Sequence, residues 1–442
     1  MLERHVLYAW GLSCFPSESL AVNPTKLLFL IADDFPTHRP DVTVLFGKEL
    51  PRHGVICDLV AQCAAEHEST DTPWPAGRAC LCPRTGNRTR DQLTAFMHDV
   101  RTLAKAKATD YDAIQVRDKV FAGLFGLARA RRLGLPFFFW MSYPMSEGFI
   151  DLSRREGLSL GVMRWAFVTS KGYLGRTLLY RFLLPRCSHV FVQSEHMADM
   201  LVRKGIDRSR LTAVPMGVDL EQLSNCTHAP TEITDRLAGK RVIAYQGSLD
   251  RVRRIDRLLE SLTLVRRTIP QACLLLIGDT SIGSDRQWLE SRARELDVAD
   301  AVVWTGWVPT ATVWALLRHA EVGVSLIPRG ELYDYSSPTK VVEYLALGLP
   351  VVANDLPDQQ TLLAGSGAGL CVTSDISDFA GAIVRILTDP NLAARMRARG
   401  PPYIRDHRSY DSLGRLISEV YASCLLKRNS HVERTTDCPG LF

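Results

Sequence analysis

The chain has 442 residues, of which 46% are hydrophobic and 23% charged, with a formal net charge of +5. That length allows two domains with a sizeable core each, and that composition excludes global disorder. So small a charge excludes a nucleic-acid binder recognised by charge alone. Its distribution matters more, because arginines cluster at Arg129–Arg132, Arg154–Arg155, Arg251–Arg254 and Arg266–Arg267.

The eleven cysteines form no Cys-x-x-Cys pair and no regular framework. Cys273 and Cys371 lie in apolar strand-like runs, where free Cys behaves as a small hydrophobe. Cys80 and Cys82 are too close for easy mutual bonding and have no His at metal-site spacing. A reducing, cytoplasmic compartment is expected, in which the sequons at Asn87 and Asn225 carry no meaning. The apolar stretch Val6 to Phe15 is short and interrupted, unlike a signal peptide. No run approaches the ~18–20 apolar residues that span a bilayer.

Residues 1–24 read as an N-terminal extension. A strand at Lys26–Ala32 ends in Asp33-Asp34 and Phe35-Pro36. A helical stretch through Val44, Leu45 and Leu50 leads to a second strand, Val55–Val60, which opens a parallel sheet. Residues 66–92 read as a loop and 93–107 as a helix. The strand Tyr111–Val116 carries Arg117 and Asp118 at its end, and after a helix to Leu133 comes the strand Phe137–Met141. From Phe149 to Leu184 the pattern is helical and mixes Arg154, Arg155, Arg164, Lys171, Arg176 and Arg181 with Met163, Trp165, Phe167, Tyr173 and Phe182. Such a stretch suits either an anionic membrane surface or a long helix packed across the domain edge. Strands at His189–Gln193 and Leu211–Gly217 complete a domain of residues 25–218, and a polar linker covers 219–240.

A second alternating series fills 241–402. Its strands at Val242–Gln246, Cys273–Ile277 and Val302–Thr305 end in Gly247, Gly278 and Gly306, and Val322–Ile327 and Gly369–Val372 follow. A helix over 403–426 closes the fold, and the polar tail 427–442 is expected to be disordered. Two such series imply two doubly wound, Rossmann-like α/β domains facing a cleft, with ligands outside the carboxyl ends of the strands.

Between Asp334 and Asp355, Ser336 and Ser337 are candidate N-caps, Pro338 suits the first helical position, and Thr339 and Lys340 fall in the first turn. A helix end with a lysine favours an anion. Glu343 sits one turn on, and Gly348 and Pro350 end the helix. The stretch is an ordinary capped helix or a phosphate cradle with a carboxylate placed for a sugar hydroxyl. The three strand-end glycines serve tight turns or the close approach of a ligand. Arg251, Arg253 and Arg254 suit bidentate phosphate binding, or else form a solvated surface with Asp250 and Asp256. No acidic cluster suggests a metal ion.

Together the segments Val192-Gln-Ser-Glu-His196, Val214-Pro-Met-Gly-Val-Asp219, Ala244-Tyr-Gln-Gly-Ser248, Leu275-Leu-Ile-Gly278, Trp304-Thr-Gly306 and Ser336-Ser-Pro-Thr-Lys340 to Glu343 resemble the glycosyltransferases of the GT-B fold, family 4. The likeness runs from about 110 to 400. It implies a retaining transfer from a nucleotide diphosphate-sugar, which is a co-substrate, with no cofactor and no metal. It implies that Glu343 holds the ribose and that Ser337, Thr339 and Lys340 contact the diphosphate or the donor sugar. The family's basic pair falls on Ser248 and Arg253, so Arg253 is the expected clamp, with Arg251 or Arg254 replacing the lost arginine. Gly247, Gly278, Gly306, Tyr335 and Ser336 complete the expected donor set.

The family's first glutamate, eight positions before Glu343, is Tyr335 here, with Asp334 adjacent and Glu331 near. Its Gly-Gly loop is replaced by Phe35-Pro-Thr-His-Arg-Pro-Asp41, and the His after the Phe137–Met141 strand by Ser142-Tyr-Pro-Met-Ser-Glu147. Glu147 is then the candidate catalytic carboxylate beside Arg253 and Lys340, with His38 or Arg117 assisting. The expected acceptor is a glycan or lipid-linked sugar of surface polysaccharide or glycoconjugate synthesis, met at the inner face of the cytoplasmic membrane. Two alternatives are a nucleotide-sugar 2-epimerase of the same fold and a non-catalytic nucleotide-sugar binder.

Overall fold

A computed structural model describes residues 24–64, 73–225 and 228–436. The stretch Val6 to Phe15, most of the expected extension and the last six residues lie outside the described residues. The N-terminal sheet comprises β1 (Thr25–Phe35), β2 (Val55–Cys63), β3 (Ala79–Cys82), β4 (Ala113–Arg117), β5 (Phe137–Met141), β6 (His189–Val192) and β7 (Leu211–Ala213). The C-terminal sheet comprises β8 (Arg241–Gln246), β9 (Ala272–Ile277), β10 (Val302–Trp304), β11 (Val322–Ser325), β12 (Val351–Asn354) and β13 (Gly369–Val372).

Every strand pairing among the described residues is parallel. The orders are β3-β2-β1-β4-β5-β6-β7 and β10-β9-β8-β11-β12-β13. A parallel sheet is covered by helices on both faces, so its strands read as unbroken apolar runs such as Leu27–Ile31 and Cys273–Ile277, all buried. In each sheet the order reverses once, between β1 and β4 and between β8 and β11. Ligand sites of doubly wound sheets lie outside the carboxyl ends at such reversals.

Two helices return the chain to its start. The Pro390–His407 helix breaks at Arg408-Ser409, where Val218 and Ser409 form a β-bridge, and the Tyr410–Thr436 helix crosses to the N-terminal sheet. Tyr410, Leu413, Ile417 and Tyr421 are buried there among Phe29, Phe46, Phe138 and Phe191. Side chains of this size contribute roughly 1.5–3 kcal/mol each on full burial. The expected closing helix at 403–426 is therefore two helices meeting at Arg408. The expected disordered tail is helical through Thr436.

Two further readings are corrected. Within the expected loop 66–92 lies the edge strand β3, paired with β2, and the next helix starts at Arg88 because Asn87 accepts from the amides of Thr89 and Arg90. The expected single helix over 149–184 is a hairpin of Met145–Glu156 and Val162–Thr177. Gly157 and Gly161 at its turn have φ of 52° and 81°. Gly172 and Gly175 let the arms touch: an added Cβ would lie 2.8 Å from Ile150 Cγ1 and 3.0 Å from Ser146 Oγ. The linker 219–240 carries short helices at Leu220–Ser224 and Thr231–Leu237.

Candidate active site between the two sheets

The C-terminal side is built on close backbone approach. Gly247, Gly278 and Gly306 have φ of 133°, 127° and 70°, and Gly278 bridges Gly306. A Cβ on Gly278 would meet the Gly247 carbonyl oxygen at 2.3 Å, so only glycine fits.

Opposite them the Thr339–Ala346 helix begins. Its N-cap is Pro338, with no side-chain cap, so Ser336 and Ser337 do not cap it. Ser336 instead donates to the Tyr333 carbonyl at 2.6 Å. Lys340 Nζ lies 4.1 Å from the centre of the Tyr245 ring, and the Tyr245 hydroxyl donates to the Ser248 carbonyl at 3.1 Å. Gln246 Nε2 donates to the Glu343 carboxylate, and the Gln246 amide donates to the Tyr344 hydroxyl at 2.8 Å. Burial brings the Lys340 ammonium down to about 7, helped by the Arg253 charge and opposed by Glu343. Burial also pushes the Glu343 carboxyl up to about 7, opposed by its hydrogen bond from Gln246. An acid and a base one helical turn apart are both held near neutrality.

The three arginines of the β8 loop part company. The Arg254 guanidinium pairs with Asp256 at 3.0 Å, and Arg251 lies over the Trp288 ring at 4.5 Å. Arg253 is exposed, and among the described residues no hydrogen bond or ion pair holds its side chain. Its charge is felt by Lys340, Tyr245 and Asp250. Ser248 donates to Asp250, which also accepts from Thr280 at 2.7 Å. Arg253, Lys340, Glu343 and the glycines thus share one place. Arg254 is paired with Asp256 at the start of the following helix.

Tyr335 and Ser337 also differ from expectation. Tyr335 is 6% exposed and packs in the N-terminal core with Met197, Leu201 and Leu183. Its ring stacks on His196 at 5.4 Å, and Ser194 Oγ donates to its carbonyl at 2.9 Å. The Ser337 hydroxyl donates to Asp358 at 2.7 Å and accepts from the Met216 amide at 2.9 Å, while Arg408 pairs with Asp358 at 2.7 Å. The loop before the helix is therefore a bolt between the two halves. Asp334 is no stand-in for the missing glutamate, because Arg329 holds it at 2.8 Å and also pairs with Asp355.

In the N-terminal half, Glu147 accepts from the Tyr180 hydroxyl at 2.8 Å and lies 3.8 Å from Lys204. Burial raises its carboxyl, and its Oε2 is buried without a hydrogen-bond partner. Its partners, Tyr180 and Lys204, both belong to the N-terminal half. His38 is exposed. Arg117 has no exposed surface and donates to Asp41 at 2.7 Å. Sequence reasoning missed Gln246, which positions Glu343, although it directly precedes Gly247. It also missed Tyr410, whose phenol is pushed up by burial and then by the charges of Asp41 and Glu343, one from each half.

Residues 42–222 match the family described as Glycosyltransferase Family 4, and residues 240–389 match Glycosyl transferases group 1. The two matches divide at the boundary between the sheets. The chain belongs to the family 4-like GT-B glycosyltransferases.

The fold of this glycosyltransferase is shared with sucrose-phosphate synthase of Thermosynechococcus elongatus. That likeness has a TM-score of 0.64 at 18% identity and covers 91% of this chain and 100% of the other. It is likewise similar to Anabaena HepE in complex with UDP and glucose, with a TM-score of 0.64 at 16% identity over 90% of this chain and 100% of the other. Among curated relatives, a GDP-mannose-dependent alpha-(1-6)-phosphatidylinositol monomannoside mannosyltransferase of Mycolicibacterium smegmatis is 27% identical over 217 residues, 48% of this chain and 56% of the relative. The lipopolysaccharide 1,6-galactosyltransferase of Salmonella typhimurium is 23% identical over 199 residues, 44% of this chain and 51% of the relative. These alignments span about half the length of the curated relatives.

Proposed function

We propose that the protein transfers a hexose from a nucleotide diphosphate-sugar to a glycan or lipid-linked acceptor, with retained anomeric configuration and without a metal ion. The observation that carries this reading is the meeting of Arg253, Lys340 and the uncapped Thr339–Ala346 helix end at the glycine-lined ends of β8 and β9. When the bond between the anomeric carbon and the diphosphate oxygen breaks, negative charge grows on the diphosphate. Fixed cations and amides stabilise that charge as it forms, each worth roughly 3–4 kcal/mol in comparable sites. Glu343, held by Gln246, is the group that would accept from ribose hydroxyls. The donor class is supported by the GDP-mannose dependence of the mannosyltransferase relative and by the UDP in the Anabaena structure.

The acceptor is proposed to come from a membrane surface. Residues 143–186 carry seven basic residues against three acidic ones. The hairpin exposes Leu158, Val162, Met163, Phe167 and Leu174, with Met163 89% exposed. A projecting apolar tip with arginines beside it suits an anionic bilayer face. No described helix is long and apolar enough to cross a membrane. Lys340→Ala and Glu343→Ala should abolish nucleotide-sugar turnover measured as released nucleotide diphosphate. Full activity in both variants would sink the assignment.

A further inference from the structure

The Thr339–Ala346 helix is fixed in two different ways along its length. Its body belongs to the C-terminal half, where Val341, Val342, Tyr344 and Leu345 are buried and the Tyr344 hydroxyl accepts from the Gln246 amide. Its first turn, which carries Thr339 and Lys340, has no side-chain cap. Helix ends fray, so the place of an uncapped first turn depends on the chain that enters it, here the loop 329–338.

That loop is held by the two halves in turn. Arg329 ties it to Asp355 at 2.9 Å and to its own Asp334 at 2.8 Å. Tyr335 then leaves the C-terminal half: its ring is buried in the core that contains Leu179, Leu183, Met197 and Leu201, and it stacks on His196. The backbone follows the ring. Ser194 Oγ accepts from the Met197 amide as the cap of its own helix, and donates to the Tyr335 carbonyl. Two residues later Ser337 accepts from the Met216 amide and donates to Asp358, so it touches both halves just before Lys340.

A buried tyrosine alone is core packing. Here its carbonyl is bound as well as its ring, and the next contact between the halves follows at Ser337, beside the turn that bears the cation. A preorganised cation stabilises a charge only when held within about half an ångström of its productive place. We propose that Tyr335 is a positioning residue for Lys340: Ser194, His196 and the Met216 amide hold the loop from the N-terminal half, so affinity for a diphosphate depends on residues of the opposite half. Opening the cleft would then loosen the Lys340 turn, and closing it would rebuild the turn. The inference rests on the donor reading of Lys340 and adds its regulation.

Calorimetry with UDP and with GDP tests it, at a temperature where circular dichroism shows each variant folded. Tyr335→Ala should weaken the nucleotide that the wild type binds by about tenfold, and Tyr335→Phe should keep wild-type affinity. His196→Ala removes only the stacked ring from a half-buried position and should weaken it by about threefold. It carries the same comparison if Tyr335→Ala does not fold. In a Lys340→Met background either change should cost less than about twofold, because the effect passes through Lys340. Hydrogen exchange over 338–346 should be faster in both alanine variants, with β9 unchanged. Wild-type affinity in both alanine variants would overturn the proposal, as would an equal loss with and without Lys340, since the tyrosine would then be core packing only. If the wild type binds neither nucleotide, the donor reading falls by itself, and unchanged exchange over 338–346 still overturns this one.

Discussion

Replacing Lys340 by Met should make the empty protein more stable and the enzyme inactive. Burial brings the ammonium from its ordinary 10.5 to about 7, and raises the Glu343 carboxyl from 4.5 to about 7. At pH 6 Lys340 is therefore still charged in the folded state, while Glu343 is largely neutral and cannot pair with it. An unpaired, desolvated charge costs several kcal/mol in the limit; for a partly exposed residue the figure is on the order of 2 kcal/mol. Methionine keeps the stem and drops the charge, so the C-terminal domain should gain roughly 4–8 °C in Tm at pH 6. Nucleotide-sugar turnover should fall about 10²–10³-fold, because the diphosphate loses a preorganised cation.

The pH dependence gives the same reasoning a sign. Between 7 and 10.5 the unfolded state binds the Lys340 proton and the folded state does not, so stability rises with pH there. Between 4.5 and 7 the folded state holds the Glu343 proton longer, so its contribution to stability is present below 4.5 and lost as pH rises to 7. The empty wild type should thus show a shallow stability minimum near neutrality. Lys340→Met should remove the alkaline limb and Glu343→Gln the acid limb, both followed by thermal unfolding in buffers from pH 4 to 10. A lower Tm for Lys340→Met at pH 6, or unchanged turnover, would refute the reasoning.

Arg253→Ala should lower kcat/KM about 10²-fold, whereas Arg254→Ala, which removes a guanidinium already paired with Asp256, should change it less than threefold. Tyr335→Ala should destabilise the protein by about 3 kcal/mol, and Tyr335→Phe should be close to neutral because the ring, stacked on His196, makes the contact; chemical denaturation checks both. Changing Val162, Met163 and Phe167 together to Ser should abolish flotation with phosphatidylglycerol vesicles at low salt while leaving UDP affinity intact. Wild-type protein that stays unbound at low salt would remove the membrane proposal.

The chain's local patterns determined the two sheets, because a strand buried on both faces has to be an unbroken apolar run and a glycine has to stand wherever backbones approach to van der Waals distance. They also determined the spacing of the proposed donor pair: Lys340 and Glu343 are one turn apart on a short helix, and that survives any packing of the helix. What the sequence could not settle was which polar groups were free. Arg251, Arg253 and Arg254 are equivalent as letters, and only the placement of Asp256 and Trp288 leaves Arg253 unheld. Ser337 and Tyr335 sit in a segment with a donor-binding pattern, yet partners more than a hundred residues away make them a bolt between the halves. The charge cluster around Arg117 draws on Asp33, Asp41 and Asp118, which meet only once parallel β1 and β4 are laid side by side. Local geometry is written in spacing, but whether a side chain faces a ligand or a neighbour depends on contacts between distant residues, and those exist only after the chain has folded.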